Sequence, residues 1–278
     1  MKEIDVNVCL ITIHIGEAAP LRKTLASIKP FLDWEIFSGY LIYESNSQSL
    51  NHDEVNNSKI IYFHNEPKEG ICNALNKSQL IANEQFPRST HYCYVHSGDL
   101  LSPDLETKKV LSEYKVLPHS DIITWGYKYI SQYSNISFKP EFENIAKSMT
   151  ISHIGTFISH ELHSKLRGYS TEYRYAMDYD FFLRARNICN YKSFDSILTT
   201  VDGFGISSRY PYLSIRDVYI SQIKQLDKKL SFEFFSYSLH FLLKISKRSI
   251  FNILKYTPNL RNSLQSLFNK RIIKTKNR

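Results

Sequence analysis

Two acidic motifs carry the strongest chemical suggestion in this chain. The first is Ser97-Gly98-Asp99, directly after the hydrophobic run HYCYVH. A carboxylate at the carboxyl end of a strand, beside a glycine that lets a ligand come close, can hold a divalent cation on a diphosphate. The second is Asp178-Tyr179-Asp180, which opens the segment FFLRAR. One acid there can act as a general base toward a hydroxyl, and the other can hydrogen-bond a substrate or orient the first. Each motif also has a purely structural use. Asp99 and Ser102 suit a capped turn. Asp178 and Asp180 suit a helix N-terminus, with Arg184 in i,i+4 register with Asp180.

Three further groups are weaker. Residues 65–77, NEPKEGICNALNK, put Pro67 and Gly70 in a loop that feeds a helix, with Asn73 and Asn76 on one face. Amides there can contact a nucleotide or sugar, or simply face solvent. His153, in ISHIGTF, stands just before a strand, where a lone histidine is more often a structural hydrogen-bonder than a ligand. Residues 204–209, FGISSR, form a glycine-containing turn in which Ser207 and Arg209 can grip a phosphate, or which is simply a loop.

The elements that must position these residues follow from periodicity. Apolar, β-branched runs at 4–13, 39–44, 59–63, 91–96 and 120–125 read as strands. Between them, 18–29, 71–84 and 103–114 show helical spacing. This alternation predicts a mostly parallel sheet with helices on both faces. Ligands in such sheets sit outside the carboxyl ends of the strands, so the polar segments after strands two and four are where chemistry is expected. Residues 126–150 read as irregular and aromatic. A short strand at 155–159, a helix to about Leu166 and a turn at Gly168 follow. Helices are expected over 178–188 and 214–229. The tail from Ser231 reads as basic amphipathic helix, interrupted near Pro258. Two domains are therefore expected: 1–227, with halves 1–125 and 126–227, and a tail 228–278.

Composition narrows the class. The chain has 278 residues, 42% hydrophobic and 22% charged, which excludes wholesale disorder. Cys9, Cys72, Cys93 and Cys189 form no C-x-x-C pair, so neither a zinc site nor a disulfide framework is expected, and a reducing compartment fits. The longest apolar stretch, near 234–243, is closed by Lys244 and falls short of a membrane span. The N-terminus enters a strand pattern without signal-peptide architecture, which predicts a cytoplasmic protein. Residues 228–278 hold twelve Lys/Arg and one acid, net +11, whereas the preceding 227 residues hold 23 basic and 26 acidic side chains, net −3. The basicity belongs to the tail. That argues against nucleic acid as a partner of the main domain and for an anionic membrane surface as a partner of the tail, where Phe234, Phe235, Leu239, Leu242 and Leu243 lie near helical spacing.

Taken in order, NEPKEGICNALNK, YVHSGD, SHIGTFISHEL, AMDYDFFLRA and FGISS resemble the family 2 glycosyltransferases with the GT-A fold. The resemblance is greatest to the bacterial branch that makes capsule, O-antigen and exopolysaccharide, and it covers about residues 4–209. It implies an α/β, GT-A (Rossmann-like) fold with a mixed, mostly parallel sheet flanked by helices. It implies an inverting transfer of a hexose or related sugar from a nucleotide-diphosphate sugar to a saccharide or lipid-linked saccharide, on the inner face of the cytoplasmic membrane.

The resemblance also assigns residues. Asp99 matches the family's metal-binding aspartate and would hold Mg²⁺ or Mn²⁺, with Ser97 and Gly98 beside it. Asp178 matches the catalytic base, and Asp180 would be a supporting or acceptor-side acid. Gly70, Asn73 and Asn76 fall on the donor-pocket helix. His153, Ser207 and Arg209 border the acceptor or diphosphate side. Thr12, on the donor side near the end of strand one, stands where the family's T-x-N reads TIH, with Ile13 and His14 differing from the usual residues. Glu44 stands where the family has Asp, and YESNSQS lacks the S-x-D acid that follows. That departure favours an alternative, a catalytically degenerate binding or partner subunit on the same fold. A sugar nucleotidyltransferase is disfavoured because its G-x-G-x-R loop is absent. A homodimer is compatible with the sequence.

Overall fold

A computed structural model describes residues 6–45, 49–65, 69–113, 120–131, 134–203 and 205–226. The tail, with the basic and apolar residues singled out above, lies outside the described residues. Chain order is β1 (Val8–His14), α1 (Ala18–Ile28), β2 (Phe37–Ser45), α2 (His52–Val55), β3 (Ile60–Asn65), α3 (Ile71–Gln85), β4 (His91–Tyr94), β5 (Leu100–Leu101) and α4 (Leu105–Ser112). Then come β6 (Ile122–Ser131), β7 (Ser134–Phe138), β8 (Phe157–Ser159), α5 (His160–Lys165), α6 (Met177–Ala185), β9 (Tyr191–Asp202), α7 (Ile206–Arg209) and α8 (Pro211–Gln225).

Among the described residues one sheet runs β3-β2-β1-β4-β8-β6-β9-β5, with β7 hairpinned onto β6. β1 is parallel to β2 and β4, and β2 to β3. β8 is antiparallel to both β4 and β6, which restores the original direction in β6 and its parallel partner β9. β5 and β7 run against their neighbours. Six of the nine strands therefore point one way, and the sheet is mixed but mostly parallel.

The central strands are buried on both faces, which is why they read as continuous apolar runs. Along β1, Cys9 and Ile11 pack on one side with Leu75 and Ala82 of α3 and Phe181 and Phe182 of α6. Val8 and Leu10 pack on the other with Leu21, Leu25 and Ile28 of α1 and Leu111 of α4. Helix boundaries follow local chemistry. Asp104 caps α4 by accepting from Thr107 N at 2.8 Å, and Ser159 caps α5 by accepting from Leu162 N at 3.1 Å.

Two segments differ from the sequence expectation. Residues 126–150 are not wholly irregular: β6 continues to Ser131 and pairs with β7 from Tyr127↔Phe138 to Ser131↔Ser134. This hairpin is solvated on both sides, with Ile130, Ile136 and Phe138 exposed, so no alternation marks it. The second is β9, which the sequence does not announce. Its run YKSFDSILTTVD is half polar, and it is held by pairing with β6 along its length.

Candidate active site

The carboxyl ends of β1, β2, β4 and β9 converge. His14, the last residue of β1, has its Nδ1 2.8 Å from Ser97 Oγ. Burial lowers the His14 pKa in spite of Glu44, whose Oε1 lies 3.9 Å from Nε2. Gly98 has φ +103°, a conformation that favours glycine, and its N–H donates to Thr24 Oγ1 at 2.9 Å. The same hydroxyl donates to the Asp99 carbonyl at 2.8 Å. Thr24 of α1 thus pins the SGD turn from beneath.

Asp99 is buried, and its Oδ1 accepts from the Asp202 N–H at 2.8 Å. Burial pushes its carboxyl up to about 7, helped by the half-buried Asp202 carboxylate at the end of β9 and opposed by Lys23. Neither acid has an ion pair among the described residues. Two carboxylates drawn together without a cation are a donor set that fits a hard divalent ion. Among the described residues no group of three or more His, Cys, Asp or Glu is placed to hold a metal ion. Sequence reasoning missed Asp202. It lies 103 residues from Asp99 and shares no motif with it; the VDG turn at a strand end is the only signal.

Asp178 opens the first turn of α6 and accepts from Tyr179 N at 2.8 Å. It is half-buried, and desolvation raises its pKa, the direction that suits a base working near neutrality. Asp180, expected as a supporting or acceptor-side acid, has different surroundings. It is 0% exposed. Its Oδ2 accepts from Arg184 Nε at 2.8 Å, and its Oδ1 accepts from Ser221 Oγ and Gln225 Nε2, each at 3.1 Å. All of these bonds serve the α6–α8 seam and the helix itself.

Other expected site residues are also structural in position. Thr12 is buried; its hydroxyl donates to the Val95 carbonyl at 2.5 Å and accepts from Tyr40 OH at 2.7 Å, tying β1 to the segment just beyond β4. Glu44 is 0% exposed and accepts from Ser49 N at 3.1 Å and from the Tyr62 and Ser49 hydroxyls, closing the loop after β2. Asn76 reads the Tyr169 backbone, donating to its carbonyl at 2.9 Å and accepting from its N–H at 2.8 Å. His153 is buried, with Nε2 2.8 Å from Tyr169 OH, and burial holds its pKa well below the usual value. Its ring lies 5.7 Å from that of His96 and 6.2 Å from Phe182, so it links the SGD strand to α6.

Four expected residues remain open. Gly70 precedes α3 with φ +84° and nothing within 4 Å of where a Cβ would stand. Asn73 is exposed on α3 and donates to the Glu69 carbonyl at 3.1 Å. Ser207 and Arg209 are exposed on α7, and Ser207 Oγ donates to the Tyr175 carbonyl at 3.2 Å.

No protein-family model and no curated protein matches this sequence. Solved structures match its architecture. The crystal structure of S. aureus TarS 1-349 is similar at TM-score 0.56 and 16% identity, over 78% of this chain and 66% of that one. The same fragment in complex with UDP gives 0.51 at 14% identity, over 78% and 66%. The mannosyltransferase PcManGT from Pyrobaculum calidifontis, in complex with GDP-Man and Mn²⁺, gives 0.56 at 10% identity, over 86% and 69%. This chain has the GT-A fold. It spans just under two thirds of the TarS fragment.

Within this GT-A sheet the acids divide into two places. Asp99 and Asp202 sit at the carboxyl ends of the central and distal strands, and Asp178 sits on the helix packed over one face. Cys72, in the first turn of α3, joins that second place: its thiol contacts the Tyr173 carbonyl at 3.3 Å, and the Asp178 charge adds to the burial that raises its pKa. No helix among the described residues is long and apolar enough to cross a membrane.

Proposed function

We propose that this chain is a metal-assisted, inverting glycosyltransferase. It would move a hexose or related sugar from a nucleotide-diphosphate sugar to a saccharide or lipid-linked saccharide in cell-surface polysaccharide synthesis. The observation that carries the reading is the division of labour among acids on a GT-A frame. A buried and a half-buried carboxylate lie at the strand ends, and one carboxylate of raised pKa stands separately on α6. The glycosyltransferases of the same fold, solved with UDP, UDP-GlcNAc or GDP-Man and Mn²⁺, support it.

In this reading Asp99 and Asp202 would hold Mg²⁺ or Mn²⁺. When bound, the ion supplies charge stabilisation to the leaving nucleotide. Gly98 and the open corner at Gly70 leave room for donor backbone contacts. Asp178 accepts the proton of the acceptor hydroxyl as that oxygen attacks the anomeric carbon, and a single displacement inverts the configuration. Ser207 and Arg209 face the diphosphate or acceptor side. The net charge of +11 over residues 228–278 would draw that segment to an anionic membrane surface.

The enclosure of Glu44 by Ser49 and Tyr62 favours a second reading, a degenerate binding subunit, because that carboxylate is not open to a nucleotide base. Melting temperatures with UDP, GDP, CMP or dTDP, each with and without Mn²⁺, decide between them. A metal-dependent gain for one nucleotide, lost in Asp99→Ala, is expected. Asp178→Asn should keep that gain and lose about 10²–10⁴-fold in turnover of the matching sugar nucleotide. No gain with any nucleotide would leave the binding-subunit reading.

A further inference from the structure

Helix α8 buries polar side chains and leaves several large apolar ones exposed. Its outward positions Tyr212, Ile220 and Ile223 are 44%, 45% and 37% exposed, while Asp217, Ser221 and Gln222 are buried. The buried polar groups converge on the start of α6. Ser221 reaches Asp180, and Gln222 Nε2 donates to Tyr179 OH at 2.7 Å and to the Lys147 carbonyl at 3.2 Å. Asp217 Oδ2 accepts from the Tyr175 N–H at 3.0 Å, and its other oxygen accepts from Arg216 Nη2 at 2.9 Å.

Helix α6 lacks a cap of its own. Ala176 occupies the N-cap position, and no side chain there accepts from the first turn. Helix N-termini normally take that acceptor from Ser, Thr, Asp or Asn. Here the fixed point is displaced by one residue. The Tyr175 peptide is gripped at its N–H by Asp217, and its carbonyl accepts from Ser207 Oγ at 3.2 Å. Tyr175 is three residues before Asp178, with one uncapped residue between it and the helix. The orientation of the first turn is therefore set from α8. An apolar residue at 217 would leave the Tyr175 N–H buried without an acceptor.

We propose that Asp217 is a positioning residue for Asp178: it fixes the path of the chain into α6 and so places the Asp178 carboxylate. This rests on the reading of Asp178 as the base. The carboxylate acts through its acceptor oxygen and the length of its side chain, while its charge is met by Arg216. Asparagine should then substitute, and a side chain one methylene longer should not.

Nucleotide release from UDP-GlcNAc and GDP-mannose with Mn²⁺ is measured for the full chain and for Asp217→Ala, Asp217→Glu and Asp217→Asn. The Ala and Glu variants are expected to lose about 10–100-fold in kcat with an unchanged donor KM, the scale of an ångström-level misplacement. Asn is expected to recover most of kcat. Amide exchange over residues 173–179 should quicken in Ala and not over 96–102. Wild-type kcat in Ala or Glu, a donor KM that moves with kcat, or an Asn variant as slow as Ala would overturn the assignment. Should Ala fail to fold, the contrast between Glu and Asn separates the same two outcomes. Wild-type protein without turnover of these donors, and without a metal-dependent melting gain for UDP, GDP, CMP or dTDP, would overturn the transferase reading and this assignment together. Active wild type with an indifferent Asp217 overturns only the latter.

Discussion

Burial raises the pKa of both Asp99 and Asp178, but their surroundings differ. Asp99 faces a second carboxylate and meets no ion pair among the described residues. Its folded pKa of about 7 lies above the unfolded value, so the folded apo protein holds the extra proton between about pH 4 and 7 and loses stability as pH rises through that window. Asp99→Asn removes the penalty. The apo variant should melt at least about 3 °C higher than wild type at pH 8, roughly the shift per kcal/mol for a domain of this size, with the gain fading toward pH 4. Mn²⁺ should raise the wild type at pH 8 and leave the variant unmoved. Scanning fluorimetry across pH reads both effects; an acid-only gain would contradict the assignment. Asn76 provides the opposite case. Its two bonds to the Tyr169 backbone predict that Asn76→Ala costs roughly 2–3 kcal/mol in urea unfolding while nucleotide affinity stays at wild type.

At the scale of elements, α6 is held by polar ties as much as by its apolar face. Arg184 joins Asp180 to the carbonyls of Leu166 and Gly168, at 2.7 and 2.8 Å. Gly168 has φ +74°, and a Cβ there would stand 2.5 Å from Asn76 Oδ1, so the turn closes only around a glycine. Removing the arginine leaves a fully buried carboxylate without its cation, whereas Asp180→Asn removes the charge and keeps an acceptor. Arg184→Ala should therefore cost about 3–5 kcal/mol, and Asp180→Asn distinctly less, by denaturant midpoints. Equal costs would show that the charge at 180 does not matter. The i,i+4 spacing of this pair is legible in the sequence. Its extension to the 166–168 turn is not, because both carbonyls come from an irregular segment.

For the whole molecule, acid sensitivity follows from the balance of titrating groups. Burial lowers the pKa of His96, His160 and His163 to about 4, holds that of His153 well below the usual value, and lowers that of His14 as well. Each takes up a proton on unfolding, so each contribution is complete above the unfolded value near 6.5 and is lost as pH falls through the folded value. Asp99 and Asp178 act in the opposite sense. Five histidines against two carboxylates predict net loss of stability below about pH 6.5. Circular dichroism during acid titration should show unfolding with a midpoint above about pH 4. A fold intact at about pH 3 would mean that these rings are not neutral in the core.

The sequence by itself determined the layers. Continuous apolar strands must be buried on both faces, and helical spacing between them supplies the covers. It also put the SGD and DYD acids at the ends of a strand and a helix, because short-range periodicity fixes where elements start and stop. Only the tertiary structure decided that Asp180 is fully buried and Asp178 half-buried. It alone joined Asp99 to Asp202, whose meeting depends on a parallel pairing of β6 with β9, and the half-polar run of β9 does not announce a strand. The same holds for Asn76, Glu44 and Thr12: residue type offered a polar group, and long-range packing determined that its partners are the protein's own backbone and side chains.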